Sequence, residues 1–526
     1  MKAERISRLI RFSWLTALNV GFIILCLRFI GAAMKAIQPE RLSTLILLLC
    51  SFALGCWSPL PALFAFTVSI PILNELGHMD VADNAAPLGL VYSGIYLGVL
   101  LHQIGARLSV QRIVLSNEHS RAAPCSDGSG TPFITFASDI FTTAILLSLG
   151  IQIYQHSSQH TFWVAWCEKP TLDYSDPFYF LTSAFVWLQG LFYFRMLSAT
   201  HQSDGIVHDN RAVLPKRSLA LSSPLLQLIP SLFVIFGIAI CIFYLIQRVY
   251  NFPNREATGM PCAPFEDVHS FGSITVALLV YWVASLHRCS WGKMASHLIW
   301  TVISFALVIA SWSRSAWLAG AVVLLLIVSI RLPMKWTLGF VVGAILVVAV
   351  VNINADNISW NQNLYLRRLI SLLRLEAPGN KSPERLNLYY KAIGMIRARP
   401  FVGYGIGSSY LTTVDFAKAN DPEATTPNFT HNFLLQIAAE LGLPITFLFC
   451  TLIIFALWRG LCFSRSDWVL DRMPIALALT AYLLTQMTAN ALNIYLSNQF
   501  FFWLLIAALL PKKYIANLMG PMTSHN

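Results

Sequence analysis

The sequence predicts an all-α, polytopic membrane protein. Three observations indicate this fold class: 56% of the residues are hydrophobic and only 12% are charged, the mean hydropathy is +0.61, and the charges cluster between apolar runs of about 20 residues, the length that crosses a bilayer as a helix. Soluble domains carry about twice as large a charged fraction. A soluble enzyme of several domains is therefore excluded, because no soluble core absorbs this much apolar surface.

Fourteen apolar runs have the length expected of spanning helices. Only the short segment Trp57–Pro61 separates the second run from the third. One of these two runs could therefore be a re-entrant segment that does not cross the bilayer. We expect about 12–14 spans in total. The runs lie at about residues 13–33, 42–57, 58–75, 86–106, 132–154, 176–197, 221–247, 269–287, 294–312, 315–331, 334–353, 432–458, 473–490 and 496–511.

The net charge of +11 follows the predicted topology. Basic residues concentrate in alternate loops, and the positive-inside rule then puts both termini in the cytoplasm. The excess of Lys and Arg therefore indicates membrane orientation or an anionic substrate, and we expect no nucleic-acid partner. Three parts result: spanning helices over residues 1–353, a large structured outside loop over 354–431, and spanning helices with a short cytoplasmic tail over 432–526.

The cysteines give little sign of a metal site. They lack the spacing of a structural zinc site, and the outside loop has no carboxylate cluster, so we expect a metal-independent protein without a cofactor. Cys167 and Cys262 are the two cysteines in predicted outside loops. An oxidising compartment would join them if the loops meet, so they are a candidate disulfide.

The outside loop contains a helix signal and misplaced positive charge. Ser382 is a suitable cap, Pro383 suits the first helical position, and Pro400 ends the run. Between Arg367 and Arg399 eight basic residues face two acidic ones, although topology puts this loop outside. Two interpretations remain: a solvated or headgroup-facing helix surface, or a polyanion site, since the planar guanidinium group binds phosphate bidentately.

A polar stripe follows His431, where the loop re-enters the membrane. Asn432, Gln436 and Glu440 recur at four-residue spacing and are predicted to share one helix face. Polar residues at this depth usually face the bundle interior or a wet cavity. His431 is then a candidate general base or substrate ligand, because imidazole titrates near neutral pH; the alternative is a structural histidine.

Two further motifs are less specific. Arg314 lies in a tight break between two spans, where it either snorkels to the headgroups between tryptophans or points into a cavity. Gly403, Gly405 and Gly407 alternate in a short loop, which allows either a close approach to a ligand or sharp turns. No phosphate-loop signature accompanies these glycines.

Together and in this order, these elements resemble the O-antigen ligase and polymerase superfamily of bacterial inner-membrane glycan transferases. The elements are the run from Ser313 to Ala319, the loop from Glu384-Arg385 to Gly407, and the run from His431 to Gly442. They cover about residues 300–460. Upstream of them the resemblance is limited to the hydropathy pattern.

The resemblance implies a fold of the membrane glycosyltransferase C type and a metal-independent reaction at the periplasmic face of the inner membrane. The donor is a glycan on undecaprenyl diphosphate, and the acceptor is a sugar of lipid A-core in a ligase or a second lipid-linked glycan in a polymerase. His431 would activate the acceptor hydroxyl, and Arg385 and Arg314 would hold the diphosphate. Further candidate contacts to diphosphate or substrate are Arg397, Arg399, Gly403, Gly405, Gly407, Asn432, Gln436 and Glu440.

Several functions remain open at this stage. The His-Asn pair and the single large loop favour a ligase over a polymerase, and the short C-terminal tail makes a protein O-oligosaccharyltransferase less expected. A lipid or solute transporter would predict inverted repeats, which the sequence lacks. Membrane lipids are expected partners in each case. A structural membrane scaffold would leave the stripe after His431 unexplained.

Overall fold

The protein is helical, and no strand occurs in the part of the chain described below. The structure is a computed structural model, and its described residues are 2–36, 42–79, 89–102, 132–169, 172, 176–203, 224–249, 265, 268–286, 291–331, 338–339, 342–343, 346, 382–416, 429–461, 472–488 and 491–509. The prediction of an all-α, polytopic membrane protein is confirmed.

The helices are numbered in chain order. Those before the outside loop are α1 (Lys2–Ala36), α2 (Leu42–Trp57), α3 (Pro59–Met79), α4 (Gly89–His102), α5 (Pro132–His156), α6 (His160–Glu168), α7 (Phe180–Ser203), α8 (Pro224–Val249), α9 (Val268–Leu286), α10 (Trp291–Ala310) and α11 (Arg314–Arg331). Those of the loop and beyond are α12 (Ser382–Ala398), α13 (Ser409–Thr412), a 3₁₀ turn (Thr413–Phe416), α14 (Phe433–Leu441), α15 (Leu443–Leu461), α16 (Met473–Gln486), α17 (Ala491–Ile494) and α18 (Leu496–Leu509).

Six helices of the described part are long and apolar enough to cross a membrane. These segments are Ala137–His156, Phe180–Leu197, Leu228–Gln247, Val268–Leu286, Gly292–Ala310 and Leu443–Leu461. Shorter apolar helices accompany them in α1–α4, α11, α16 and α18. The predicted run over 334–353 lies mostly outside the described residues, so the total number of spans stays a prediction.

The bundle has inner and outer helices. In α7, 94% of the apolar segment is buried, whereas in α10 the share is 22%. The inner helix α7 packs on α18, and α9 packs on α16. An outer helix with a large exposed apolar face is what a bilayer requires, because lipid chains cover that face.

The predicted single span over 432–458 is wrong, because the helix breaks at Gly442. The residue has φ +84°, and an added Cβ would overlap the Phe401 carbonyl. The next backbone N–H, of Leu443, donates to the Pro400 carbonyl at 2.8 Å. A hydropathy window cannot detect a break one residue long. The short α14 is consequently separate from the long α15.

The sparse charges of the apolar helices serve as ties between helices. Arg195 of α7 bonds Asp139 of α5 at 2.6 Å and Thr142 at 3.2 Å. Arg28 of α1 donates to carbonyls at the end of α6, including that of Lys169 at 2.6 Å. Each guanidinium group thus meets an acceptor inside the bundle, as the cost of burying a charge requires.

Candidate active site

The site is built on the helix predicted within the outside loop. Helix α12 begins at Ser382, within one residue of the predicted start, and ends just before Pro400. Its buried face carries Leu388, Ala392 and Met395 at three- and four-residue spacing. This helix packs against α14 and the 3₁₀ turn. The loop is therefore ordered where it adjoins the segment that carries His431.

The predicted phosphate ligands lie at the two ends of α12. Arg385 is in the first turn of the helix, and its side chain lies outside the described residues. Arg397 is exposed in the last turn, about 18 Å from Arg385 along the axis at 1.5 Å per residue. The exposed Arg399 guanidinium lies 4.5 Å from the Tyr404 ring centroid. Arg385 and Arg397 are thus more than three turns apart on α12.

One basic residue of this helix, Lys391, is buried, and sequence reasoning did not single it out. Lys391 is 2% exposed, whereas Arg397 and Arg399 are exposed. It follows Leu388 by three residues, which puts both on the face that meets the rest of the protein. Its three-residue spacing from Leu388, and not its charge, is the sequence signal that could have distinguished it from the other basic residues.

The three alternating glycines adopt backbone conformations that only glycine tolerates well. Their φ angles are +65° at Gly403, +104° at Gly405 and +71° at Gly407. Protein atoms occupy the space beside each of them: an added Cβ would overlap the Glu440 carbonyl, the Gln152 amide or the Phe180 backbone, respectively. The close approach predicted for these glycines is thus made to the protein itself.

Helix α5 holds the same loop through its side chains. The Gln152 amide donates to the Ile406 carbonyl at 3.0 Å, and the Ile406 N–H donates to the Ser148 hydroxyl at 2.9 Å. Both partners sit one turn apart on the same face of α5. The glycine loop is consequently fixed to a candidate membrane span.

Glu440 fastens the loop from the other side. Its carboxylate accepts from the Ser409 hydroxyl at 2.6 Å, from the Gly407 N–H at 2.9 Å and from the Gln436 amide at 2.9 Å. Burial raises the pKa of the Glu440 carboxyl, and these three donors favour its ionised form. The predicted stripe is therefore real for Gln436 and Glu440, which bond to each other one turn apart.

Asn432 begins α14 instead of continuing the stripe. Its Oδ1 accepts from the N–H groups of Leu434 and Leu435, both at 3.1 Å, and so caps the helix. Its Nδ2 donates to the Met487 carbonyl at 3.1 Å. The described hydrogen bonds of Asn432 thus cap α14 and tie it to Met487.

His431 has an unusual backbone. Its φ of +49° lies in the left-handed region, where residues other than glycine are uncommon. The residue is half-buried between the buried Thr430 and Asn432. Such a conformation costs on the order of 1–3 kcal/mol and persists where the surroundings enforce it, most often at functional sites.

Arg314 follows a second left-handed residue, Trp312, at φ +54°. Arg314 is half-buried and is the first residue of α11. Trp312 is buried, and the Trp317 indole donates to the Val308 carbonyl at 2.7 Å. Both tryptophans thus contact the bundle, and the choice between a snorkelling Arg314 and one that points into a cavity stays a prediction.

The segments around Ser313 and Phe433 are both linked to the C-terminal helices α17 and α18. Gly272 of α9 leaves room for Ser313, beside Arg314, and α9 is joined to α18 by the 2.7 Å bond from Asn498 to Ser270. On the other side, Asn493 of α17 donates to the Phe433 carbonyl at 3.1 Å. The elements that carry Arg314 and His431 are therefore connected through α17 and α18.

Residues 299–450 match the family model described as O-Antigen ligase. This region belongs to the O-antigen ligase and polymerase superfamily. The match includes both helix breaks, α12, the glycine loop and α14. No curated protein matches the chain significantly. The apolar helices and this match indicate an integral membrane protein. The family that the region matches supports a ligase- or polymerase-type glycosyl transfer in lipopolysaccharide biosynthesis.

Two other predictions concern the disulfide and the metal. Cys167 is exposed, while Cys262 lies outside the described residues, so their disulfide stays a prediction. Among the residues that the structure describes, no group of three or more His, Cys, Asp or Glu side chains is arranged to hold a metal ion. Metal independence likewise stays a prediction, as do the roles of the individual site residues.

Proposed function

We propose that the protein is an O-antigen ligase, which transfers a glycan from undecaprenyl diphosphate to a sugar hydroxyl of lipid A-core. The observation that carries the proposal is the enforced left-handed backbone of His431 at the start of α14, within the region matched by the O-antigen ligase family. Backbone strain of this kind is retained where the position of a reactive side chain matters. His431 is accordingly the group to which we assign the proton transfer.

In the proposed reaction, the acceptor hydroxyl oxygen attacks the anomeric carbon of the donor glycan. His431 accepts the hydroxyl proton as the new C–O bond forms. The bond between the anomeric carbon and the phosphate oxygen breaks, and undecaprenyl diphosphate leaves with the bonding electron pair. An imidazole suits the proton transfer because it titrates near neutral pH. We propose that the reaction requires no metal.

Arg385 and Arg314 are the proposed ligands of the diphosphate. Arg314 begins α11, where the helix dipole already concentrates positive charge. A cation there is unfavourable by itself, whereas a bound anion is stabilised by both the guanidinium group and the helix N-terminus. Cations in place before the reaction stabilise the charge that develops on the leaving diphosphate, typically the largest single catalytic contribution.

The other predicted ligands divide into two groups in this proposal. Gly403, Gly405, Gly407, Gln436 and Glu440 fix the loop and α14 to each other, so we assign them to site architecture. Arg397 and Arg399 are exposed at the far end of α12, where they are suited to membrane phosphates or an outlying part of the donor.

The proposed orientation follows from charge. Both termini lie in the cytoplasm, and the loop that carries α12 lies in the periplasm, where lipid-linked glycan and lipid A-core meet. The protein then resides in the bacterial inner membrane. The ten native cysteines are first replaced by serine, because the exposed Cys167 would itself be labelled. Asp415→Cys, at an exposed residue of the loop, then tests the orientation: an impermeant maleimide labels it in intact cells only if the loop faces outward.

A gene deletion tests the ligase assignment against a polymerase. Removing a ligase leaves full-length glycan chains on undecaprenyl diphosphate and lipid A-core without glycan. A single repeat joined to core would instead indicate a polymerase and contradict the proposal. Complementation with Arg314→Lys adds a test of the ligand assignment: it should restore little glycan, because an ammonium group cannot grip phosphate bidentately.

A further inference from the structure

We propose that Asn432 is a positioning residue for His431 and that it acts through the carbonyl of Met487. The inference rests on the proposed role of His431 as the base. The Asn432 side chain links two elements. Its Oδ1 caps α14, and its Nδ2 reaches the Met487 carbonyl at 3.1 Å. Asn432, which directly follows the proposed base, is thereby tied to the C-terminal end of α16.

The anchor is rigid. Met487 follows the last residue of α16, and its own N–H continues the helical pattern by donating to the Leu483 carbonyl at 3.2 Å. Helix α16 is buried over most of its length and packs on α9. The last carbonyls of a helix lack partners within it. Asn432 supplies a donor to one of these carbonyls and so fixes its own position against the core of the bundle.

The backbone around His431 is held by further bonds. The Thr430 hydroxyl reaches past His431 and donates to the Asn432 carbonyl at 3.0 Å. The same carbonyl accepts the Gln436 N–H at 3.0 Å. The Thr430 hydroxyl bond spans His431, whose φ is +49°, and so links the residues on both sides of this left-handed position. The direction of the imidazole therefore depends on Asn432 remaining in place.

Two more contacts reach α14 or the Met487 carbonyl from neighbouring helices. The Asn493 amide donates to the Phe433 carbonyl at 3.1 Å. The Tyr389 hydroxyl lies 3.4 Å from the Met487 carbonyl. Tyr389 is one turn beyond Arg385 on α12, so the helix with the proposed diphosphate ligand reaches the anchor that holds the base. At 3.4 Å this last hydrogen bond is weak, and we expect it to contribute less than that of Asn432.

The chemistry of the side chain explains why asparagine occupies this position. Asp and Ser cap helices about as well as Asn, because each offers an oxygen to the first N–H groups. An ionised Asp has no donor for the Met487 carbonyl, and a Ser hydroxyl is too short to serve both partners. Asn alone among these caps presents an acceptor and a donor on one planar group.

The test is a kinetic comparison of full-length variants in detergent, with undecaprenyl-diphosphate-linked glycan as donor and lipid A-core as acceptor. Asn432→Asp and Asn432→Ser keep the cap and remove the tether. We expect kcat to fall about tenfold in each, while the donor KM stays within about twofold. The thermal unfolding midpoint should fall slightly, because each variant loses one hydrogen bond. Tyr389→Phe should lower kcat about twofold to threefold. The exposed neighbour Tyr390 supplies the matched control, Tyr390→Phe, which should behave as wild type.

Three outcomes would overturn the inference. Wild-type kcat in both Asn432 variants, together with an inactive His431→Ala, would show that the base needs no such tether while the proposed function stands. Loss of thermal stability with parallel changes in kcat and KM would indicate a structural role only. An active His431→Ala would remove the proposed function itself, and the positioning role with it.

Discussion

The Ser409 hydroxyl donates a 2.6 Å hydrogen bond to the Glu440 carboxylate and joins the glycine loop to the helix that follows His431. The same carboxylate also accepts the Gly407 N–H at 2.9 Å. The two halves of the candidate site, separated by about 30 residues in sequence, are thus fastened by one buried acid. Its side chain thereby holds the glycine loop against α14.

Glu440→Gln should destabilise the protein and lower transfer activity. The three groups that face the carboxylate, on Gly407, Ser409 and Gln436, are all donors. The amide of the variant turns an NH₂ group toward at least one of them, and that buried donor loses its acceptor at a cost of about 1–3 kcal/mol. Thermal unfolding in detergent measures the effect. Asp415→Asn, which neutralises an exposed acid of the same loop, is the control. Equal midpoints for the two variants would contradict a fastening role of Glu440.

Gly405→Ala should be more damaging than an alanine at Gly150. Gly405 has φ +104°, and a Cβ there meets the Gln152 amide. Gly150 belongs to α5 and has nothing within 4 Å of an added Cβ. We expect the first change to cost more than about 1 kcal/mol of unfolding free energy and the second to be neutral or stabilising. A tolerated Gly405→Ala would show that the loop is not clamped as described.

His431→Gly should unfold at a higher temperature than His431→Ala, although both should be inactive. At an ordinary helical position glycine is less stable than alanine by about 0.5–1 kcal/mol. At a φ of +49° the order reverses, because alanine retains the strain and glycine does not. Differential scanning fluorimetry of the two variants gives the sign. A less stable glycine variant would mean that His431 does not hold a left-handed backbone.

Removing only one partner of the ion pair between Arg195 and Asp139 should lower the stability of the protein more than removing both. Asp139→Ala leaves the Arg195 guanidinium without the partner 2.6 Å away. The loss should cost less than the about 3–5 kcal/mol of a fully buried pair, because Arg195 is partly exposed and keeps Thr142. Asp139→Ala combined with Arg195→Met removes both charges and should recover part of that loss. Unfolding midpoints of the single and double variants decide this, and a double variant no more stable than Asp139→Ala would count against a buried tie.

Much of the fold follows from sequence because a bilayer imposes simple rules. Length and hydropathy are sufficient to predict apolar helices such as α5 and α7, and the signals at Ser382 and Pro400 bound α12 to within two residues of the structure. The break at Gly442 was not predictable in this way. It depends on the Phe401 carbonyl, about 40 residues away, occupying the space where a side chain would be.

The candidate site shows the same limit. Spacing alone put Asn432, Gln436 and Glu440 on one stripe, whereas the structure makes Asn432 a cap and Glu440 a fastener of the glycine loop. The partners of these side chains are Met487 and Ser409, and no local pattern relates them. Long-range hydrogen bonds of this kind depend on tertiary packing, which periodicity does not encode.

The most direct test of the central claim is a transfer assay with purified wild-type protein, His431→Ala and the exposed control His160→Ala. The substrates are undecaprenyl-diphosphate-linked glycan and lipid A-core. If His431 is the base, its variant should bind the lipid-linked donor with near-normal affinity and transfer glycan at least about 100-fold more slowly, since a positioned general base contributes at least that factor. The His160 variant should match wild type. Transfer by His431→Ala at the wild-type rate would contradict the account.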